Sequence, residues 1–194
     1  VLLKETPEHA VIDYLCREGA APFGAIEEGG YHHYATYLKR QIQVEAEEKV
    51  PEGKMAKLLY DMYQPDCAKY AVESDVPQIY ELLLENFDLQ ADHIPSEDDL
   101  LQIVKEKEVM IYKIGDKIEC FFIYRREGKK LYCAFSYNHA SADILYSIER
   151  RVKEIEYEEN GIKMHYAWFN AKNKKALRRN AWKDTKIRDY IFVK

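Results

Sequence analysis

Apolar residues recur along this chain at one of two intervals, and the interval changes wherever glycine, proline or acidic residues gather. In residues 31–49, Tyr34, Tyr37, Leu38, Ile42 and Ala46 return every three or four positions. That spacing is one face of an amphipathic helix, which Pro51-Glu52-Gly53 would close. Residues 54–63 predict a second short helix before Gln64-Pro65-Asp66. Upstream, residues 8–17 are mixed, and Gly19 to Gly24 and Glu27 to Gly30 read as turns between short elements. The expectation for residues 1–65 is a small, mainly helical N-terminal segment. About 65 residues of that kind bury little surface alone, so the segment should pack on a larger domain or be the remnant of an upstream unit.

After Pro65 the pattern sharpens. Residues 68–72 form a short apolar run, the spacing of a strand. Ser74 or Asp75 then caps a helix that carries Pro77 in its first turn and continues to about Phe87. Ser96, with Asp99 three residues on, opens another helix that turns Leu100, Leu101 and Val104 inward. Two apolar runs flank Gly115-Asp116, a strong hairpin signal, and a second turn at residues 126–129 leads into a third strand over 131–137. A polar loop precedes a long amphipathic helix over 143–159, in which Ile144, Leu145, Ile148, Val152 and Ile155 share a face and Asn160-Gly161 supplies the stop. A strand over 162–169, a helix over 173–182 and a strand over 187–193 complete the chain.

Composition narrows the function classes. The 194 residues are 47% hydrophobic, enough for a buried core. Lys+Arg number 29 against 34 Asp+Glu, interspersed, for a net charge of -5, which argues against a nucleic-acid partner held by phosphate contacts. No apolar run approaches the ~20 residues of a spanning helix, so no membrane role is expected. Cys16, Cys67, Cys120 and Cys133 are far apart with no CxxC pair, which predicts neither zinc nor a disulfide framework and suits the cytoplasm. The sequence starts at Val1 without a basic, then apolar, leader, and no signal peptide is read there.

The order strand, two helices, three-stranded meander, helix, strand, helix, strand resembles the GNAT superfamily of acyl-CoA-dependent N-acyltransferases over residues 66–194. The most specific stretch runs from Trp168 through Asn173 and Ala176 to Arg178, which looks like the family's fifth strand and its N-x-x-A helix start. The resemblance implies an α/β (α+β) fold with a mixed, mostly antiparallel central sheet flanked by helices. It also implies acetyl-CoA as the acyl donor and a small-molecule or protein amine as acceptor, with a homodimer left open. In that family the fourth strand offers an exposed edge to the pantetheine arm; here the edge would be residues 134–137, so Phe135 and Tyr137 become cofactor-binding candidates. The family's pyrophosphate loop would correspond to Asn138, His139, Ala140, Ser141 and Ala142, with Asn173 and Lys174 as further phosphate contacts.

Two departures accompany the match. The family's loop is basic and glycine-rich, whereas this one has neither Gly nor Arg and ends in Asp143, a negative charge where phosphate would sit. The family's acid tyrosine falls on Asn180, which cannot donate a proton to a thiolate. The neighbouring phenols Tyr137, Tyr132 and Tyr166 are the substitute candidates, Tyr137 first, and water or the Glu119 carboxylate would accept the proton of the amine. Without a ligand the loop reads as an ordinary helix start, in which Ser141 or Asn138 caps and Asp143 complements the macrodipole. His139 and Asp143 also spell H-x-x-x-D, a catalytic pair in another acyltransferase superfamily. His32-His33 carries no metal-ligand spacing, and no metal site is expected. Three functions therefore stay open: an acyl-CoA-dependent N-acyltransferase, a catalytically inactive module of the same fold that binds a partner, and a module for a different acyl carrier.

Overall fold

The computed structural model describes residues 2–5 as backbone, and residues 10–46, 48–177 and 182–194. In chain order the elements are β1 (Leu2–Glu5), β2 (Ala10–Arg17), α1 (Phe23–Glu28), β3 (His32–Gln43), α2 (Lys54–Asp61) and β4 (Lys69–Tyr70). A 3-10 turn (Glu73–Asp75) leads into α3 (Val76–Asn86), α4 (Glu97–Lys105), β5 (Val109–Ile114), β6 (Lys117–Glu127) and β7 (Lys130–Asn138). The chain continues through α5 (Ala142–Asn160), β8 (Met164–Asn170), α6 (Lys174–Leu177) and β9 (Lys183–Val193). These elements form two compact units: Val1–Ile42 with Asp88–His93 and Tyr166–Lys194, and Gln43–Phe87 with Ile94–His165.

In the first unit the strands lie in the order β1-β2-β9-β3-β8, and β9 pairs antiparallel with both β2 and β3. Tyr190, Ile191, Phe192 and Val193 of β9 are all buried despite alternating sides, because both faces of the sheet are covered here. One face carries Val11, Ala35, Ile191 and Val193 with Ala91 of the 88–93 turn. On the other, Phe23 of α1 meets Tyr190, Phe192 and His33 edge-on at 5.1, 5.3 and 5.4 Å between ring centroids.

The helix expected over residues 31–49 is strand β3, a correction with a visible cause. Register shifts between His33 and Ala35 and between Leu38 and Arg40 add irregular steps to the ladder. Each bulge interrupts the two-residue alternation, leaving apolar residues three and four apart in a strand that runs from His32 to Gln43. The mainly helical N-terminal segment is therefore corrected as well: β1, β2 and β3 dominate residues 1–43, and α1 and α2 are short. Adjacent His32 and His33 point apart because they alternate across a strand.

The second unit is built on the order β7-β6-β5-β4, all antiparallel. Alternate residues of β6 supply its two cores. Phe121 and Ile123 join Ile79, Leu83, Leu100 and Ile103 of α3 and α4 on one face, while Phe122 and Tyr124 join Ile144, Ile148 and Val152 of α5 on the other. Two local signals behave as expected: Ser96 Oγ accepts from the Asp99 N–H at 3.2 Å, and Gly115 and Gly128 supply the positive φ of the two hairpin turns, whereas the Asp75 side chain does not cap α3 and instead accepts from the Val72 N–H at 3.0 Å. The second turn is tighter than expected, because Arg126 and Glu127 remain in β6. The segment 54–64 lies on α5, where Arg150 sits over the rings of Tyr63 and Tyr60 at 4.0 and 4.5 Å and the Gln64 N–H donates to Ser147 Oγ at 3.0 Å.

Helix α5 stops at Gly161, whose φ is 64°, with Gly161 N–H donating to Tyr157 and Ile162 N–H to Glu156. A Cβ there would meet only the flexible end of Lys129, so the cost of Gly161→Ala is conformational. Replacement by alanine is expected to lower stability by about 1 kcal/mol, and by asparagine less, as read by urea denaturation.

Candidate functional site

The sequence places its candidates where β6, β7 and α5 meet, and the ladder explains why they converge. Cys120 and Asn138 are the last paired residues of β6 and β7. The chain then keeps to the edge of β6, with the His139 and Ala140 N–H groups both donating to the Glu119 carbonyl, at 2.8 and 3.2 Å. Across this antiparallel pair Phe121 stands opposite Tyr137, and Glu119 and His139 follow two residues beyond them on their own segments. Tyr137 lies on Phe121 with 5.4 Å between centroids and a 26° interplanar angle.

Glu119 organises this face. Its two carboxylate oxygens take Lys117 Nζ at 2.8 Å and His139 Nδ1 at 2.6 Å. Lys117, then His139, holds the Glu119 carboxyl below the usual carboxylate range, and Glu119 in turn raises the Lys117 ammonium, with the Tyr137 phenol adding a smaller part. The carboxylate is 12% exposed, whereas the side chains of Lys117 and His139 are 62% and 67% exposed. An ammonium and an imidazole therefore stand in solvent on a nearly covered anchor.

Beside them begins α5, 19 residues long. Ser141 has N-cap backbone geometry, with φ -82° and ψ 162°, but its hydroxyl caps no N–H, contrary to the capping role expected of it. Asn138 also does not cap: its side-chain amide donates to the Ser141 carbonyl at 3.2 Å. Asp143 lies in the first turn, and its carboxylate is buried and accepts from the Gln64 amide at 3.4 Å. The H-x-x-x-D pair is not assembled, because His139 bonds Glu119 and Asp143 bonds Gln64.

The remaining candidates are dispersed. Phe135 is buried against Phe87, with 5.0 Å between centroids, so its side chain belongs to the core. Ala140, Ser141 and Ala142 are small and at least partly exposed at the loop. Asn173 and Lys174 lie in the other unit, exposed, where Asn173 Oδ1 accepts from the Ala176 N–H at 3.0 Å and starts α6. Asn180 falls outside the described residues, and the helix expected over 173–182 is described only as far as Leu177. Sequence reasoning missed Lys117, which reaches the Glu119 carboxylate from two residues along β6. Among the described residues no group of three His, Cys, Asp or Glu is placed to hold a metal, and no helix is long and apolar enough to cross a membrane.

Solved structures share this arrangement of strands and helices. A GCN5-related N-acetyltransferase from Sphaerobacter thermophilus superposes with a TM-score of 0.65 at 15% identity, over 96% of this chain and 60% of that one. The fold is that of the GNAT superfamily. A second GCN5-related N-acetyltransferase, from Kribbella flavida, gives 0.54 at 10% identity over 93% of this chain and 42% of that one. A GNAT-family acetyltransferase from Colwellia psychrerythraea gives 0.50 at 10% identity, over 94% and 63%. This chain thus spans less than two thirds of the length of each of these three GNAT structures. No protein-family model and no curated protein matches the sequence. The GNAT fold accounts for the mixed, mostly antiparallel sheet.

Proposed function

We propose that the chain is an N-acyltransferase that takes an acyl group, acetyl in the simplest case, from coenzyme A and passes it to an amine. The observation that carries this reading is the start of α5, where a 19-residue helix presents a first turn uncapped by Ser141 next to Lys117 and His139 gathered on Glu119. A helix N-terminus carries about half a positive charge, and small residues let a phosphate reach its N–H groups. The residues fit such a group. Lys117 and His139 stand in for the absent arginine, and Asp143 has its carboxylate tied to Gln64.

Acyl-CoA, when bound, supplies a thioester carbonyl open to attack and a thiolate that leaves. The part of this chain is to hold the phosphates with Lys117, His139 and the N–H groups of Ser141 and Ala142, and to offer the backbone of Phe135 and Tyr137 to the cofactor arm. The Tyr137 phenol is the proposed donor of a proton to sulfur. Glu119, with lowered basicity, is better suited to fixing Lys117 and His139 than to taking the proton of the amine, which then passes to water. A second reading, a GNAT module without activity, is favoured by one fact: the His139 and Ala140 N–H groups are already spent on the Glu119 carbonyl.

A thermal-shift titration with acetyl-CoA and with coenzyme A separates the readings. A ligand at 100 times its Kd adds about 2.7 kcal/mol of stability, so millimolar ligand should raise Tm by several degrees. Ser141→Asp should keep or raise the Tm of the free protein, because aspartate caps well, yet lose the ligand response because it puts a negative charge at the phosphate position. No shift with either ligand in the wild type rules out the acyl-CoA reading.

A further inference from the structure

The polar face of α5 carries a strap, the segment 54–64. Asp143, Ser147, Arg150 and Glu154 recur at the three- and four-residue spacing of one helix face, and each meets that segment. At the first two turns the Gln64 N–H donates to Ser147 Oγ at 3.0 Å, and the Gln64 side-chain amide donates to Asp143 Oδ2 at 3.4 Å. Further along, Arg150 lies over the Tyr63 and Tyr60 rings at 4.0 and 4.5 Å, and the Tyr63 hydroxyl donates to Glu154. Just past the strap, the Cys67 N–H donates to the Gln64 carbonyl at 3.2 Å and fixes the turn that presents Gln64. Burial raises the Cys67 thiol, and the Asp143 charge adds a smaller part, so this turn faces Asp143 as a whole.

The strap is held differently from the core beneath α5. Helix α2 within it has no buried residue, and its Met55 and Leu58, with Met62 beyond, are 68%, 50% and 41% exposed. Polar and aromatic contacts at the surface attach it, which places it among the segments that open locally at low cost. Asp143 is the group that feels the attachment. Its carboxylate, 9% exposed in the first turn of α5, favours the positive end of the helix and competes there with any other anion. Among the described residues it accepts from Gln64 and from no N–H of α5.

We propose that the strap 54–64 regulates the anion site at the start of α5, with Gln64 as the positioning residue that ties the Asp143 carboxylate to the strap. Docked, the strap leaves the first N–H groups of the helix to a phosphate. Released, it frees Asp143 to accept from those N–H groups itself, and the carboxylate then closes the site by occupying its donors and by repulsion. The inference rests on the acyl-CoA reading, because it states what opens and closes that same site.

The test is titration of the whole chain with acetyl-CoA, read as Kd by calorimetry, in Gln64→Ala, Asp143→Asn and the double variant. Gln64 is exposed and its backbone N–H survives the substitution, so Gln64→Ala should fold with a Tm near that of the wild type. It should bind acetyl-CoA about tenfold more weakly, the scale of one hydrogen bond to a charged group. Asp143→Asn should bind at least as tightly as the wild type. Gln64→Ala/Asp143→Asn should bind like Asp143→Asn, because Gln64 then has no charge to restrain. Tyr60→Ala/Tyr63→Ala, which loosens the strap without altering Gln64 or Asp143, should show the same loss and the same rescue by Asp143→Asn. Unchanged binding in Gln64→Ala overturns the inference, and so does an equal loss from Gln64→Ala in the Asp143→Asn background, the mark of a merely structural role. In both of those cases the wild type still binds acetyl-CoA and the acyl-CoA reading stands. A wild type that ignores acetyl-CoA ends that reading, and this inference with it.

Discussion

Arg126→Leu is expected to destabilise the second unit by about 3–5 kcal/mol, the largest effect of any single polar substitution considered for this chain. Its partner, Glu156, is fully buried at the end of α5 and receives Arg126 Nε and Nη2, each at 2.7 Å, Asn160 Nδ2 at 2.8 Å, and lies 3.0 Å from the Tyr124 hydroxyl. Glu156 holds the Arg126 guanidinium protonated well above its ordinary range, against the opposing effect of burial. Burial, followed by Glu156, likewise keeps the Tyr124 phenol protonated. Leucine can replace the stem of Arg126 but not its charge, and Glu156 is left as a buried anion with neutral donors only. The removal of both charges in Arg126→Leu/Glu156→Leu should recover much of the loss, because the penalty lies in the unpaired ion more than in the absence of the pair. Urea denaturation of the single and double variants checks this; a single variant within 1 kcal/mol of the wild type would show that Glu156 finds another partner.

Ile148→Ala is expected to cost about 2–5 kcal/mol. Ile148 is fully buried on α5 and belongs to the cluster with Phe122, Tyr124, Leu131, Val152 and Ile162. The lost methyl and methylene groups leave a void that residues on a paired sheet and a long helix cannot close. Leu58→Ala on α2, where the side chain is 50% exposed, should stay within about 0.5 kcal/mol. A difference between the two in Cm with unchanged m would confirm that the α5 face, and not apolar content as such, stabilises this unit.

Both variants rest on elements that are legible in the sequence, which is not true of every element of the chain. The inward face of α5 follows from a 3.6-residue repeat and a glycine stop, both local, and the meander of β5, β6 and β7 follows from glycine turns between apolar runs. These signals are carried by residues a few positions apart. Strand β3 was not legible, because its bulges disturb the alternation and its apolar positions imitate a helix. What makes it a strand is β9, about 150 residues later, which pairs with it from His32 to Gln41.

The candidate site divides in the same way. Sequence alone determined the order of elements from residue 66 onward, the GNAT resemblance, the position of the loop 138–142 and its lack of glycine and arginine, since each is a matter of residue type and spacing. Only the tertiary structure decided that Glu119 gathers Lys117 and His139, that Ser141 leaves the α5 start uncapped, and that Gln64 holds the Asp143 carboxylate. Charges far apart in sequence act together only when backbone hydrogen bonding brings their strands side by side. The strength of their coupling is then set by burial, which no single position along the chain carries by itself.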